Sequence, residues 1–164
     1  MCMTMKQVRG NTNMEMKIET IPPYKIVYIR HVGPYGTGNE QTMRKLKTWA
    51  ASKDLYQDNT IILGIARDNP ETTRPENCRY DTCLVISDND LTKNEEVASG
   101  TVEGGRYLVF RISHTIDAVK KAWLQIFPEL SKLGYHFDET RPVLERYAAG
   151  MVMNHFCEIC VPVK

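Results

Sequence analysis

Two stretches of helical periodicity, each bracketed by pairs of strand-like segments, constrain this chain more than any other feature of it. Apolar and polar residues alternate over residues 14–21. Met14, Met16 and Ile18 stand against Glu15, Lys17 and Glu19, the pattern of a strand with one buried face. Pro22-Pro23 ends that segment, and residues 24–32 follow, rich in β-branched and aromatic side chains. After a loop at Gly33-Pro34-Tyr35-Gly36, a helix is predicted over 39–53, with Met43, Leu46, Trp49 and Ala50 along one stripe. Strands are predicted over 60–66 and 79–86, separated by a polar loop at 67–77, and residues 87–99 read as a second polar loop.

The second half runs in the same order. A strand is predicted at 107–112, with a short partner placed before Gly104-Gly105. A helix then starts near Thr115. Its apolar residues, Ile116, Val119, Ala122, Trp123, Ile126, Phe127, Leu130 and Leu133, make a wide face. Pro128 cannot donate to residue 124, which predicts a kink or a restart, and Gly134 is a natural stop. Strands at 142–148 and 156–163 close the pattern. The chain thus reads β-β-α-β-β twice. Residues 27–30 match 109–112 in position, and Leu63-Gly64-Ile65 matches Leu144-Glu145-Arg146. The predicted fold class is α+β: tandem pseudo-twofold ββαββ-type repeats, an antiparallel sheet with two long helices, and a central ligand cleft where the repeats meet. Residues 1–13 lack periodicity and are expected to be a disordered leader. Repeat one then covers about 14–87 and repeat two about 100–164 of a single domain over 14–164.

Composition narrows the function classes. A chain of 164 residues buries roughly 70% of its unfolded surface, so it needs neither metal nor disulfide to fold. A formal net charge of +1 excludes a bulk electrostatic case for nucleic acid, and no direct nucleic-acid binding is expected. No apolar run approaches the ~18 residues of a membrane span, and Met1-Cys2-Met3-Thr4-Met5-Lys6 has no signal-peptide core. The expectation is a cytoplasmic protein without membrane contact, with its five cysteines (Cys2, Cys78, Cys83, Cys157, Cys160) as reduced thiols.

Among chemistry-bearing residues Glu145 stands out. In Pro142-Val143-Leu144-Glu145-Arg146-Tyr147, alternation puts Val143, Glu145 and Tyr147 on one face. Such a carboxylate is either a buried acid, raised in pKa by burial and lowered again by a cationic ligand, or a half-exposed strand residue with no role. Trp49 belongs to the buried stripe of the first helix. Trp123 lies on a face too wide for one sheet contact, so part of that face can line a cavity. Trp and Tyr rings stack on flat apolar molecules and bind cations, or simply fill a core. Cys157-Glu158-Ile159-Cys160 has CxxC spacing, but in a strand the two thiols point to opposite faces and cannot share a metal. His31, His114, His136 and His155 are dispersed, with His114 just before the second helix. The glycine-rich loop at 33–38 lacks the lysine of a nucleotide-binding loop. Asp81 reads as structural, paired with an arginine. Neither a metal nor a cofactor is expected.

Five stretches in order carry a resemblance over about residues 16–163: His31-Val32-Gly33-Pro34-Tyr35, Arg79-Tyr80-Asp81-Thr82-Cys83, Gly104-Gly105-Arg106-Tyr107, Ala122-Trp123, and Pro142-Val143-Leu144-Glu145-Arg146-Tyr147. The chain resembles the GyrI-like, Rob-type effector-binding family, the small-molecule-binding domain found in AraC-type regulators. The resemblance implies a ligand cleft between the repeats, with Glu145 as the cleft glutamate and Trp123, Tyr147, Tyr35 and Tyr80 as ligand-binding aromatics. It also gives Gly64 a purpose, as room for a ligand opposite the acid. The segment 148–154 departs from the family pattern and is Met-rich, which would widen ligand tolerance. Three functions follow. The first is an effector or drug sensor for lipophilic, cationic small molecules, either standing alone or cut from a transcription regulator with a DNA-binding domain as partner. The second is a hydrolase of reactive, cyclopropanoid toxins, with Glu145 and Tyr147 catalytic. The third is a gyrase-inhibitor-like module whose partner is DNA gyrase.

Overall fold

The computed structural model describes residues 15–36, 38–87 and 96–164, together with the backbone of residues 6–7. The elements are β1 (Lys6–Gln7), β2 (Glu15–Ile21), β3 (Tyr24–Val32), α1 (Asn39–Ser52), β4 (Ile61–Ala66), a 3-10 turn (Pro75–Asn77), β5 (Arg79–Ile86), β6 (Ala98–Val102), β7 (Gly105–Ser113), α2 (Ile116–Lys132), β8 (Leu144–Ala148), α3 (Ala149–Met153) and β9 (Phe156–Pro162). The strands form one sheet in the order β1-β2-β7-β9-β8-β4-β5-β3-β6, with every pairing antiparallel. The α+β architecture with two long helices is therefore present. The expected leader lies outside the described residues except for Lys6–Gln7, which pair with β2. Met14, Cys2 and residues 88–95 of the second polar loop also lie outside them.

The strand order has a pseudo-twofold between β4 and β8, on which Gly64 and Glu145 are cross-strand partners. The first strand of each repeat is exchanged: β2 pairs with β7, and β6 pairs with β3. The partner placed before Gly104-Gly105 thus exists as β6, beginning at Ala98 inside the expected loop, but it joins the other half. A Cβ on Gly104 would lie 2.6 Å from the Ile21 carbonyl oxygen and from Pro23 N, so the two interstrand connections cross in contact there. The equivalence of 27–30 with 109–112 is corrected by one residue. Arg30 lies opposite Asp81 and Arg111 opposite Glu158, so Arg30 matches Arg111 and 27–30 matches 108–111. A one-residue shift would have turned every side chain to the wrong face.

Two apolar clusters lie on the helix-bearing face. Leu46, Trp49 and Ala50 of α1 pack on Val27, Ile62, Leu84 and Ile86. Ala122, Ile126 and Leu130 of α2 pack on Leu108, Phe110, Ile159 and Val161. On the other face Ile26, Leu63, Ile65 and Cys83 meet Val109, Leu144 and Cys160 in one cluster drawn from both halves. Helix α2 starts at the Thr115 hydroxyl, which accepts from Ala118 N, and stops at Gly134 with φ +80°. It runs through Pro128 without a restart. Pro128 removes only the bond to residue 124, and Leu124 is 78% exposed, so water can take its place. Helix α3 was not expected from the sequence.

Candidate functional site

Strand β8 lies at the centre of the sheet, and its alternation separates two chemistries. Leu144 and Arg146 point away from the helices, while Glu145 and Tyr147 rise toward the space between α1 and α2, where Tyr147 touches both helical clusters. Glu145 is half-buried and its oxygens are unequally occupied. Oε2 accepts from the Tyr80 hydroxyl at 3.0 Å and from the Tyr147 hydroxyl in a very short contact. Among the described residues, Oε1 accepts only from the Trp123 indole Nε1, at 3.3 Å. Burial, and next the charge of Glu145, push the Tyr80 and Tyr147 hydroxyls well above their ordinary pKa, so both remain donors. No salt bridge reaches Glu145 among the described residues. The site is a carboxylate held by three neutral donors among aromatic rings, with His114 against Tyr147 and Phe127 beside Trp123.

The structure brings Glu145, Tyr147, Trp123 and Tyr80 together and leaves Tyr35 outside. The Tyr35 hydroxyl donates toward the carbonyls of Asp68 and Arg79 and accepts from Asp68 N–H, and its ring meets Tyr80 edge-on at 6.3 Å. It stands behind Tyr80 rather than at the carboxylate. The space over Gly64 also differs from expectation, because the Tyr80 hydroxyl occupies it. A Cβ there would lie 2.0 Å from Tyr80 Oη and 3.3 Å from Glu145 Oε2. Phe127 belongs to the wide apolar face read from the sequence of the second helix, whereas the contact of His114 with Tyr147 has no periodic signal.

Ion pairs under the sheet hold this floor in place. Arg146 donates in bidentate fashion to Glu19 and also to Glu158, joining β8, β2 and β9. The Arg146 guanidinium keeps the Glu19 carboxyl down at about 2. Asp81, fully buried, takes Arg30 and Arg67, which confirms its structural reading. Burial raises its pKa, and the two arginines more than offset that. Cys157 and Cys160 fall in opposite clusters, as the strand reading requires. Cys78, Cys83, Cys157 and Cys160 are free thiols, and the described residues contain no His/Cys/Asp/Glu group able to hold a metal ion. No helix among them is long and apolar enough to cross a membrane.

Three comparisons bear on this geometry. The GyrI-like small molecule binding domain family matches residues 14–164. An SPbeta prophage-derived putative transcriptional regulator, YosT, of Bacillus subtilis is 38% identical over 152 residues, 92% of this chain and all of the relative. DNA gyrase inhibitor 2 of Dickeya dadantii is 30% identical, over 74% of this chain and 78% of its own. The solved structure of SAV2435 bound to tetraphenylphosphonium superimposes with a TM-score of 0.59 at 17% identity, covering 92% of this chain and 94% of that one, which is a likeness of fold.

Proposed function

This chain belongs to the GyrI-like small molecule binding domain family, and we propose that it takes a lipophilic cation into the cleft between α1 and α2, with Glu145 as counter-charge. Trp123, Tyr147 and Tyr80 form the aromatic surroundings. One observation carries the reading: among the described residues, Glu145 is a carboxylate supplied with three neutral donors and no cation. A half-buried negative charge in that setting attracts a cation that brings apolar surface with it, and aromatic faces add cation–π attraction. The complex of SAV2435 with tetraphenylphosphonium supports the same ligand class. A sensing role fits a relative named as a transcriptional regulator.

Titration with tetraphenylphosphonium, wild type beside Glu145→Gln, tests this. The expected result is binding that weakens at least tenfold in the variant, a loss of about 1.4 kcal/mol. Equal affinity in the two proteins overturns the reading. A second reading, inhibition of DNA gyrase by surface contact, is favoured by the relative of that name. It requires gyrase inhibition that Glu145→Gln leaves unchanged.

A further inference from the structure

We propose that the Glu145 cleft selects cations that carry an N–H, protonated tertiary amines above all, over quaternary cations of the same shape. This rests on the reading of Glu145 as counter-charge and says which kind of cation the carboxylate takes. What decides it is how the lone pairs of that carboxylate are filled.

A carboxylate offers about four acceptor positions, two on each oxygen. On Oε2 both are taken, by the hydroxyls of Tyr80 and Tyr147. On Oε1, among the described residues, one is taken, by the Trp123 indole at 3.3 Å. That is beyond the usual N–H···O range of about 2.7–3.2 Å. One position on Oε1 is therefore open and the other is weakly held. The donors also differ in what fixes them. Tyr80 and Tyr147 stand on β5 and β8, inside the sheet, whereas Trp123 stands on α2, outside it. A ligand donor that reaches Oε1 can displace the indole and leave the sheet as it is. The backbone of residue 145 is covered by the ladders to β4 and β9, so the exposed part of this half-buried residue is its side chain.

The surroundings make Oε1 the place where a ligand N–H is satisfied. The buried carboxylates Asp81 and Glu158 lie on the other face of the sheet, and arginines already hold both. The rings of Trp123, Phe127 and Tyr147 offer apolar faces. A protonated tertiary amine has one N–H and three apolar arms. Its donor makes a charge-assisted bond to Oε1 while its arms meet the rings. A quaternary cation has no donor. Its alkyl shell keeps the charge farther from the oxygen and leaves the open acceptor position desolvated without a bond. Hydrophobicity alone gives the opposite order, because the quaternary partner has one more methyl to bury. The order of affinity therefore separates a hydrogen bond from plain charge attraction.

The test is a calorimetric titration of the whole chain at pH 7 with N,N-dimethyl-1-naphthylmethylamine, protonated at that pH, and with trimethyl(1-naphthylmethyl)ammonium. The amine is expected to bind at least tenfold more tightly. In Glu145→Gln both are expected to weaken and the ratio to shrink, since a neutral amide oxygen is the poorer acceptor. In Trp123→Phe the ratio is expected to persist, because the N–H goes to the carboxylate and not to the indole. Equal affinity, or a tighter quaternary cation, with both still dependent on Glu145, overturns this inference and leaves the counter-charge reading standing. A preference that vanishes in Trp123→Phe, or is undiminished in Glu145→Gln, overturns it too. If neither cation binds the wild type, or both bind Glu145→Gln as tightly, the counter-charge reading falls and the inference falls with it.

Discussion

Gly64→Ala tests whether the acid site is as tightly packed as its geometry implies. A β-carbon at residue 64 would stand 2.0 Å from Tyr80 Oη and 2.9 Å from Tyr80 Cζ, distances that cannot persist. Tyr80 is buried, with its ring held edge-on by Tyr35, so it must move as a packed body and leave Glu145 Oε2. Two losses follow: overpacking at about 1–3 kcal/mol, and a hydrogen bond to a charged acceptor at about 1.5–3 kcal/mol. One gain opposes them, since alanine is the better strand residue by about 0.5–1 kcal/mol. The losses win, and Gly64→Ala is expected to destabilise the protein by about 2–4 kcal/mol in urea unfolding. In a Tyr80→Leu background the clash with the hydroxyl is absent. The same substitution should then cost less by at least about 1 kcal/mol, the coupling expected of residues in contact. A cost below about 0.5 kcal/mol in the wild type, or an identical cost in both backgrounds, would refute the close approach of Tyr80 to Gly64.

Pro128→Ala is expected to raise stability by about 1–3 kcal/mol by restoring the bond to residue 124, read as a higher melting temperature. Arg146→Met removes the bidentate partner of Glu19 and the buried partner of Glu158, leaving Lys17 at 3.0 and 3.9 Å from them, and is expected to cost about 2–4 kcal/mol in denaturant unfolding. Glu19 links this to pH. Its folded pKa of about 2 lies below the ordinary 4.5, so its contribution is fully present above pH 4.5 and is lost as pH falls from there through about 2. A pH series of urea melts should show that acid leg in the wild type and a flatter one in Arg146→Met. Burial pushes the thiols of Cys83, Cys157 and Cys160 up to about 12, so Ellman's reagent at pH 8 should leave all three unmodified until the chain unfolds.

The local patterns were legible because alternation and helical periodicity are imposed by the nearest layer of packing. Val27 and Ile29 face α1 whichever strands flank β3, and Leu46, Trp49 and Ala50 are buried whichever sheet lies beneath them. The exchange of β2 and β6 was not legible, because Met16 and Ile18 alternate identically whether their partner is β3 or β7. Glu145 was visible as an acid between apolar neighbours on a strand. Its donors were not visible from spacing: Tyr80 lies 65 residues away and Trp123 lies 22 away, and only the sheet order brings them together. Tyr35 was drawn into the site by the family resemblance alone, yet Asp68 and Arg79 hold its hydroxyl elsewhere.

That exchange also explains why a binding site can lie on the pseudo-twofold. The ladder between β4 and β8 that carries Gly64 and Glu145 has only four paired positions, a weak seam if it alone joined the halves. The exchanged strands add seven paired positions between β2 and β7 and five between β3 and β6. Arg146 ties β8 to β2 from beneath, one residue from the acid. Parting the repeats therefore means unzipping both outer ladders and a buried ion pair, so the floor of the cleft is rigid. The wall is not held in the same way. Above the carboxylate stands α2, with Trp123 on a single 3.3 Å bond to Oε1 and Ile116 and Leu124 more than 70% exposed. On the proposed reading, a fixed charge under an aromatic wall would hold one charge constant and let the apolar body of the ligand vary. Adaptation to ligands of different shape is therefore expected at Trp123 and Phe127, with Glu145, Tyr80 and Tyr147 unmoved.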